Sequence, residues 1–416
     1  MRFRYLIVFA TFLLTILLYI DRICISVAKA GISEDLDLSD AQMGWILSAF
    51  ALGYASFQVP SGMLADNKGP RIILTTIVAL WSGFTALTGA AWNFVSLLVI
   101  RALFGAGEAG AFPAISRVTF SWIPMNERGV VTGINFSGSR LGAAFALPFV
   151  AWLIEYSGWR ISFFVLGLVG IVWALIWYLF FRDNPEEHSS ISSKELDHIL
   201  LNRQSSTAKT EMIGLGRIVR SGNMMLVMFQ YFCSNFTFFF CLTWLFPHIQ
   251  EQYGLSTMNA GLFASIPLLF GAFGNWFSGW LVDKIYANGK WKMSRRIPAM
   301  IGFALASVGL IGSLQMNEVE GAVFFLSIAV FGADMTLSPS WALCVDIGKE
   351  NSGGVSGSMN MAGNIGSFLT ALAFPYLREW TGSVEPFFFL GAFLNVLALI
   401  AWRYIDSEKQ ITIGTD

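Results

Sequence analysis

Charge is what this chain of 416 residues has least of: Asp, Glu, Lys and Arg together make 13%, against roughly 25% in ordinary soluble domains. That is too little to coat a water-soluble surface. The balance of 26 basic and 27 acidic residues also removes the basic field that a nucleic-acid partner requires. Cysteine is scarce, and Cys24, Cys233, Cys241 and Cys344 all fall inside apolar runs, which indicates neither a disulfide framework nor a zinc site. His188, His198 and His248 have no metal-ligand partners at suitable spacing. No Ser/His/Asp or Cys/His set is placed for catalysis, and no Gly-x4-Gly-Lys-Ser/Thr loop for ATP occurs. The expectation is a protein that is not an enzyme, holds no metal and needs no cofactor.

Apolar sequence fills the chain instead, at 55% hydrophobic residues and a mean hydropathy of +0.61. This defines an all-α integral membrane protein. Windows long enough to span a bilayer fall at 5–30, 42–65, 71–91, 93–122, 129–154, 159–181, 223–250, 258–284, 296–316, 320–346, 353–377 and 385–405. These twelve predicted transmembrane helices divide six and six around a polar stretch. The expected organisation is an N-terminal half over 1–182, a linker over 183–222 and a C-terminal half over 223–416. The first window is too long for a signal-peptide core and is read as an uncleaved helix. Basic loop residues concentrate on the side of the termini, among them Lys68, Arg71, Arg128, Lys209, Lys292 and Arg296, while Lys29, Arg160 and Arg378 lie on the other. Both termini are therefore expected in the cytoplasm. His248 is expected at the outer membrane interface.

The halves repeat. Gly62-Met-Leu-Ala-Asp66 recurs as Gly279-Trp-Leu-Val-Asp283, Gly129-Val-Val-Thr-Gly133 as Gly353-Gly-Val-Ser-Gly357, and Phe181-Arg-Asp183 as Tyr404-Ile-Asp406. Duplicated six-helix halves place a substrate site near the midplane between them, opened alternately to each side.

Charges inside the apolar windows mark where such a path runs. Arg101 and Glu108 are seven residues apart, two turns, on one face of the fourth window. Arg22 and Arg101 both lie about 12 Å below the outer boundary, so their guanidiniums can hold one carboxylate together. Asp21 and Glu108 are the titratable candidates: an arginine moving toward or away from a carboxylate loads or releases a proton. Adjacent residues diverge by about 100° on a helix, which turns Arg22, with Tyr19 and Ser26, toward substrate and Asp21 toward a neighbouring helix. The i, i+4 pairs Tyr54 and Gln58, Tyr231 and Asn235, and Asn360 and Asn364 suit sugar hydroxyls or helix-to-helix contacts. Arg140 and Asp334 lie near the middle of the fifth and tenth windows. Either they pair with each other, or Arg140 binds a second acidic group on the substrate. With three acids opposing three arginines the lumen is neutral, and a monoanion enters with at least one proton.

Gly62-Met-Leu-Ala-Asp-Asn-Lys-Gly-Pro-Arg71 resembles the loop motif Gly-x-Leu-x-Asp-Arg-x-Gly-Arg-Arg/Lys of the major facilitator superfamily, with Asn67 and Pro70 departing from it. Tyr19-Ile-Asp-Arg22, Arg101-x6-Glu108 and Phe112-Pro-Ala114 resemble the anion:cation symporter family, whose members carry hexuronates, aldonates and aldarates and include relatives of the animal sialic acid and vesicular glutamate transporters. The resemblance implies the major facilitator fold and a conformational latch at Gly62, Asp66 and Arg71. It makes Asp21 and Glu108 the protonation sites, gives Arg22 the substrate carboxylate, and puts Ser338 and Trp341 in substrate contact. Ser139 stands where sugar-acid carriers of the family can have Gln.

The expected activity is proton-coupled uptake of an organic anion, best a hexuronate or aldonate, across the cytoplasmic membrane by a monomer. A sodium-coupled or exchange carrier of sialate, phosphate or an acidic amino acid is the alternative.

Overall fold

The computed structural model describes residues 2–203, 214–255 and 257–410; part of the linker, with Lys209, and the side chains of some helical positions, with Ser26 and Lys29, lie outside the described residues. The described chain is helical throughout and contains no strand. In order the helices are α1 (Phe3–Asp35), α2 (Asp40–Lys68), α3 (Pro70–Gly89), α4 (Phe94–Glu108), α5 (Ala111–Trp122), α6 (Arg128–Phe180), α7 (Ser193–Asn202), α8 (Leu215–Arg220), α9 (Gly222–Thr243), α10 (Leu245–Tyr253), α11 (Thr257–Ala287), α12 (Trp291–Ser313), α13 (Val319–Met335), α14 (Leu337–Gly348), α15 (Ser352–Thr381) and α16 (Glu385–Tyr404).

Besides the break between α9 and α10 in the seventh window, three boundaries depart from uninterrupted spans for a local reason. Within α6, Gly158 takes φ +77°, a left-handed conformation open to glycine, and bends the chain between the windows 129–154 and 159–181. The fourth window breaks after Glu108, and the tenth after Met335. Both breaks sit four residues before a proline, Pro113 and Pro339, whose missing N–H deletes the helical bond to Ala109 and Met335. Each break lies beside one of the intramembrane acids, Glu108 and Asp334. Large apolar side chains left exposed, such as Leu168, Val172, Leu175 and Leu179 along α6, form the surface that lipid covers.

The chain divides into two compact units. One comprises Met1–Met125, Leu141–Ile213 and Gly348–Gly357; the other comprises Asn126–Arg140, Gly214–Ile347 and Ser358–Asp416. Helices α6 and α15 each pass from one unit to the other.

In the first unit, α2 and α4 touch backbone to backbone. A Cβ on Gly53 would lie 2.0 Å from the Ala102 carbonyl oxygen, and one on Gly105 2.2 Å from that of Phe50. Small residues are what allow membrane helices to approach so closely. Gly105→Val is therefore expected to lower stability by about 1–3 kcal/mol through overpacking. The check is the thermal unfolding midpoint in detergent beside that of Gly83→Val, since a Cβ on Gly83 meets nothing within 4 Å.

The same unit also holds the start of α1. Glu195, in the first turn of α7, accepts from the Phe3 N–H at 2.7 Å, the Arg4 N–H at 3.1 Å and Arg4 Nη1 at 3.3 Å. The orphan donors of the first turn of α1 are thus capped from the linker. In the second unit His248 is buried against Phe240, Phe374 and Phe388 within the apolar cluster around α9, α15 and α16.

Candidate functional site

In the first unit Arg22, Arg101, Asp21, Glu108, Tyr19 and Tyr54 come together on α1, α2 and α4. Arg22 donates from Nε to Glu108 Oε1 at 2.6 Å, and its Nη2 lies against the same oxygen. Its guanidinium rests over the rings of Tyr54 at 4.6 Å, Tyr19 at 5.0 Å and Phe50 at 5.1 Å. Arg101 lies over Phe104 at 4.2 Å and over the same Phe50 ring at 5.6 Å. Phe50 is thus a platform shared by both arginines, and the Gly105 contact with its carbonyl sets its height. Cation–π contacts of this kind hold a guanidinium without consuming its N–H donors.

Those donors remain available. Glu108 is fully buried and Arg101 is 2% exposed. Among the described residues, Arg101 Nε and Nη1, Glu108 Oε2 and Asp21 Oδ1 have no hydrogen-bond partner. Buried polar atoms are rarely left so, and here they cluster on the charged faces of α1 and α4. The arrangement can accept an anion on Arg101 and protons on the two acids. Asp21 turns away from Arg22, its Oδ2 accepting from Trp81 Nε1 of α3 at 3.1 Å.

The residues expected in a latch occupy the ends of α2 and α3. Asp66 accepts from the Gly353 N–H at 2.9 Å and the Gly354 N–H at 2.7 Å, capping the first turn of α15. Gly62 allows this, since a Cβ there would lie 2.2 Å from the Gly353 carbonyl oxygen. Arg71 donates its N–H to Asp183 Oδ1 at 2.7 Å and Nε to the Tyr178 carbonyl at 2.9 Å. The second unit repeats the device: Asp283 accepts from the N–H groups of Gly129 at 2.8 Å and Val130 at 2.7 Å. Asp406 likewise pairs with Lys292 at the start of α12, as Asp183 does with Arg71 at the start of α3. The repeated sequences therefore contact one another, the aspartate of one motif capping the helix that begins in the other.

Asp66 lies just beyond the window 42–65, and burial pushes its carboxyl up to about 7 against the lowering effect of the two backbone donors. Because the folded protein then holds a proton that the unfolded chain releases near pH 4, stability falls as pH rises from about 4 to 7. Asp66→Asn is expected to flatten that part of the curve. Thermal unfolding midpoints across the window check it.

In the second unit Arg140 and Asp334 form a buried bidentate pair, Nε to Oδ2 at 2.7 Å and Nη2 to Oδ1 at 2.5 Å, with the guanidinium 3.5 Å from the Phe238 centroid. Gly271 gives Asp334 its space, since a Cβ there would lie 2.2 Å from Oδ2. Trp341 donates to the Tyr231 hydroxyl at 2.8 Å and packs on Phe136. Ser338 donates to the Gly129 carbonyl at 2.7 Å, joining α14 to α6. Asn364 donates to the Asn360 carbonyl at 2.8 Å, and Asn360 is 6% exposed. The Ser139 side chain is buried, its hydroxyl without a partner among the described residues. Phe50 and Trp81 are the residues of these sites that reading the sequence passes over, since both resemble ordinary core aromatics.

Long apolar helices, broken beside buried acid–arginine pairs, define a multi-pass membrane transporter, and the protein is not an enzyme. The chain belongs to the Major Facilitator Superfamily, whose family profile matches residues 11–371. It is 35% identical to the probable sulfoacetate transporter SauU of Cupriavidus necator, over 95% of this chain and 92% of that protein. It is 32% identical to the hexuronate transporter of Bacillus subtilis, over 94% and 92% of the two chains. With the D-galactonate transporter of Escherichia coli O6:H1 it shares 30% identity over 99% and 97%. In fold it is similar to the proton:xylose symporter XylE, with a TM-score of 0.75 at 15% identity over 99% of this chain and 97% of that one.

Proposed function

We propose that the protein carries a small organic anion, a sugar acid such as D-galactonate or a hexuronate, together with protons, into the cell by alternating access. The observation that carries this reading is the pair Arg22 and Arg101 on the shared Phe50 ring, one engaged by Glu108 and the other with buried unpartnered donors. Protonation of Glu108 dissolves its ion pair and frees Arg22, so that both guanidiniums meet the incoming carboxylate. Asp21 carries the second exchangeable proton. Deprotonation on the inner side restores the Arg22–Glu108 pair and expels the anion. Tyr19 and Tyr54 flank the carboxylate, Ser139, Ser338, Trp341, Asn360 and Asn364 serve the rest of the substrate, and Arg140 is held by Asp334. Gly62, Asp66 and Arg71 form the latch.

The protein acts as a monomer in the cytoplasmic membrane with both termini in the cytoplasm, as two six-helix halves over 1–182 and 223–416 joined by the linker 183–222. It uses the proton gradient and no cofactor. Similarity to sugar-acid carriers over nearly the whole chain supports the substrate class. The similarity to SauU supports small sulfonates as further candidates. Uptake of D-galactonate, D-glucuronate and sulfoacetate into proteoliposomes, with and without an inward proton gradient and with sodium exchanged for potassium, tests the proposal. Gradient-driven uptake indifferent to sodium is expected. Uptake that requires sodium, or ignores the proton gradient, overturns it.

A further inference from the structure

We infer that Trp81 is the positioning residue that sets how tightly Asp21 holds its proton and by which oxygen that proton leaves. The inference rests on the reading of Asp21 as a proton carrier. Trp81 and Asp21 are both fully buried. An indole N–H in an apolar interior requires an acceptor, and for Trp81 that acceptor is Asp21 Oδ2 at 3.1 Å. Thr85, one turn further along α3, also faces this carboxyl, but its hydroxyl donates to the Trp81 carbonyl at 3.1 Å. The indole is therefore the main donor to this carboxyl.

Packing holds the indole in place. Gly107 of α4 brings that helix against the backbone of Trp81, where a Cβ would lie 3.4 Å from the nitrogen. On another side, Gly167 and Gly170 of α6 admit Ser82, a Cβ on Gly170 lying 1.9 Å from its hydroxyl oxygen. Neighbours on both sides thus fix the rotation of α3, and with it the direction of the N–H.

The chemistry follows from what an indole can do. It donates and does not accept, so it cannot take the proton from Asp21 or pass one on. Its bond to Oδ2 is stronger when the carboxyl is ionised, which favours release of the proton. Oδ2 being engaged, the exchangeable proton belongs to Oδ1, which has no partner among the described residues. The other charged or titratable groups facing Asp21 are Glu108 and Arg101 on α4 and Cys24 on α1. Arg22 engages Glu108 but leaves Asp21 to α3. The two acids thus differ in their hydrogen-bond donor, an arginine for Glu108 and a neutral indole for Asp21.

The test is a pH titration of the carboxylic acid band by difference infrared spectroscopy on the purified protein, with Asp21→Asn identifying the band of Asp21. In Trp81→Phe the ring remains and the donor is lost. The Asp21 midpoint is expected to move up by about one pH unit, because the ionised form loses its hydrogen bond. Net uptake of D-galactonate at neutral pH is expected to slow several-fold while exchange across the membrane continues, since release of the proton inside is the hindered step. An unmoved or lowered midpoint in a folded Trp81→Phe protein overturns the inference while leaving Asp21 a proton carrier. Where Trp81→Phe folds poorly, 3-benzothienylalanine at position 81 removes the N–H at nearly constant shape and is read in the same way. If no band assignable to Asp21 titrates between about pH 4 and 10 in the unaltered protein, the underlying reading of Asp21 fails, and the role of Trp81 with it.

Discussion

Glu108→Gln is expected to abolish uphill uptake of the anion while leaving exchange of internal for external substrate. The amide keeps the size of the carboxyl and loses its charge, so Arg22 is released permanently from the 2.6 Å contact that holds it. A permanently free guanidinium binds anion whatever the proton supply, so release is no longer driven by deprotonation and follows the substrate gradient alone. Accumulation against a gradient should fall by a factor of about 100 or more, the scale on which loss of a charge-assisted contact of about 3 kcal/mol acts. Counterflow should stay within a few-fold of the unaltered rate. Uptake measured under a proton gradient, beside counterflow in its absence, separates the two. Uphill accumulation by Glu108→Gln would remove Glu108 from the coupling mechanism.

The second large effect concerns stability. Arg140 and Asp334 are 3% and 1% exposed, and each satisfies the other through two hydrogen bonds. Replacing either alone strands a charge in the interior, at a cost of about 3–5 kcal/mol. Arg140→Met or Asp334→Leu is thus expected to lower the thermal unfolding midpoint sharply. The double variant should recover most of the loss, because desolvation of the pair is removed together with its attraction. Both Asp334 oxygens are engaged, so the pair fixes packing and the double variant should also regain transport. Recovery of stability without transport would give Arg140 a direct role toward the anion instead.

How much of this was legible in the sequence depends on the physics each feature uses. Twelve spans follow from apolar runs, because a bilayer demands about 20 such residues whatever their neighbours. The breaks after Glu108 and Met335 are half visible: Pro113 and Pro339 stand in the sequence, but prolines also kink helices without ending them. Arg22, Asp21, Arg101 and Glu108 announced themselves because charge inside an apolar helix is rare. Phe50 and Trp81 did not, since an aromatic in a membrane helix is ordinary until its partner across the interface is known. The repeats at Asp66 and Asp283 were plain, yet their meaning was not. Similarity between two segments does not reveal that the aspartate of one caps the helix of the other. The packing of His248 is hidden for a related reason: Phe374 and Phe388, which enclose it, lie more than a hundred residues away.

Proton movement during transport bears most directly on the central claim, that two acids and two arginines couple the entry of protons to the entry of an anion. Proteoliposomes enclosing a pH-reporting dye, held without a membrane potential, are mixed with D-galactonate, D-glucuronate or sulfoacetate. The account predicts that the anion taken up acidifies the interior, and that Glu108→Gln and Asp21→Asn abolish the acidification. Entry of the anion with no change of internal pH in the unaltered protein would contradict it.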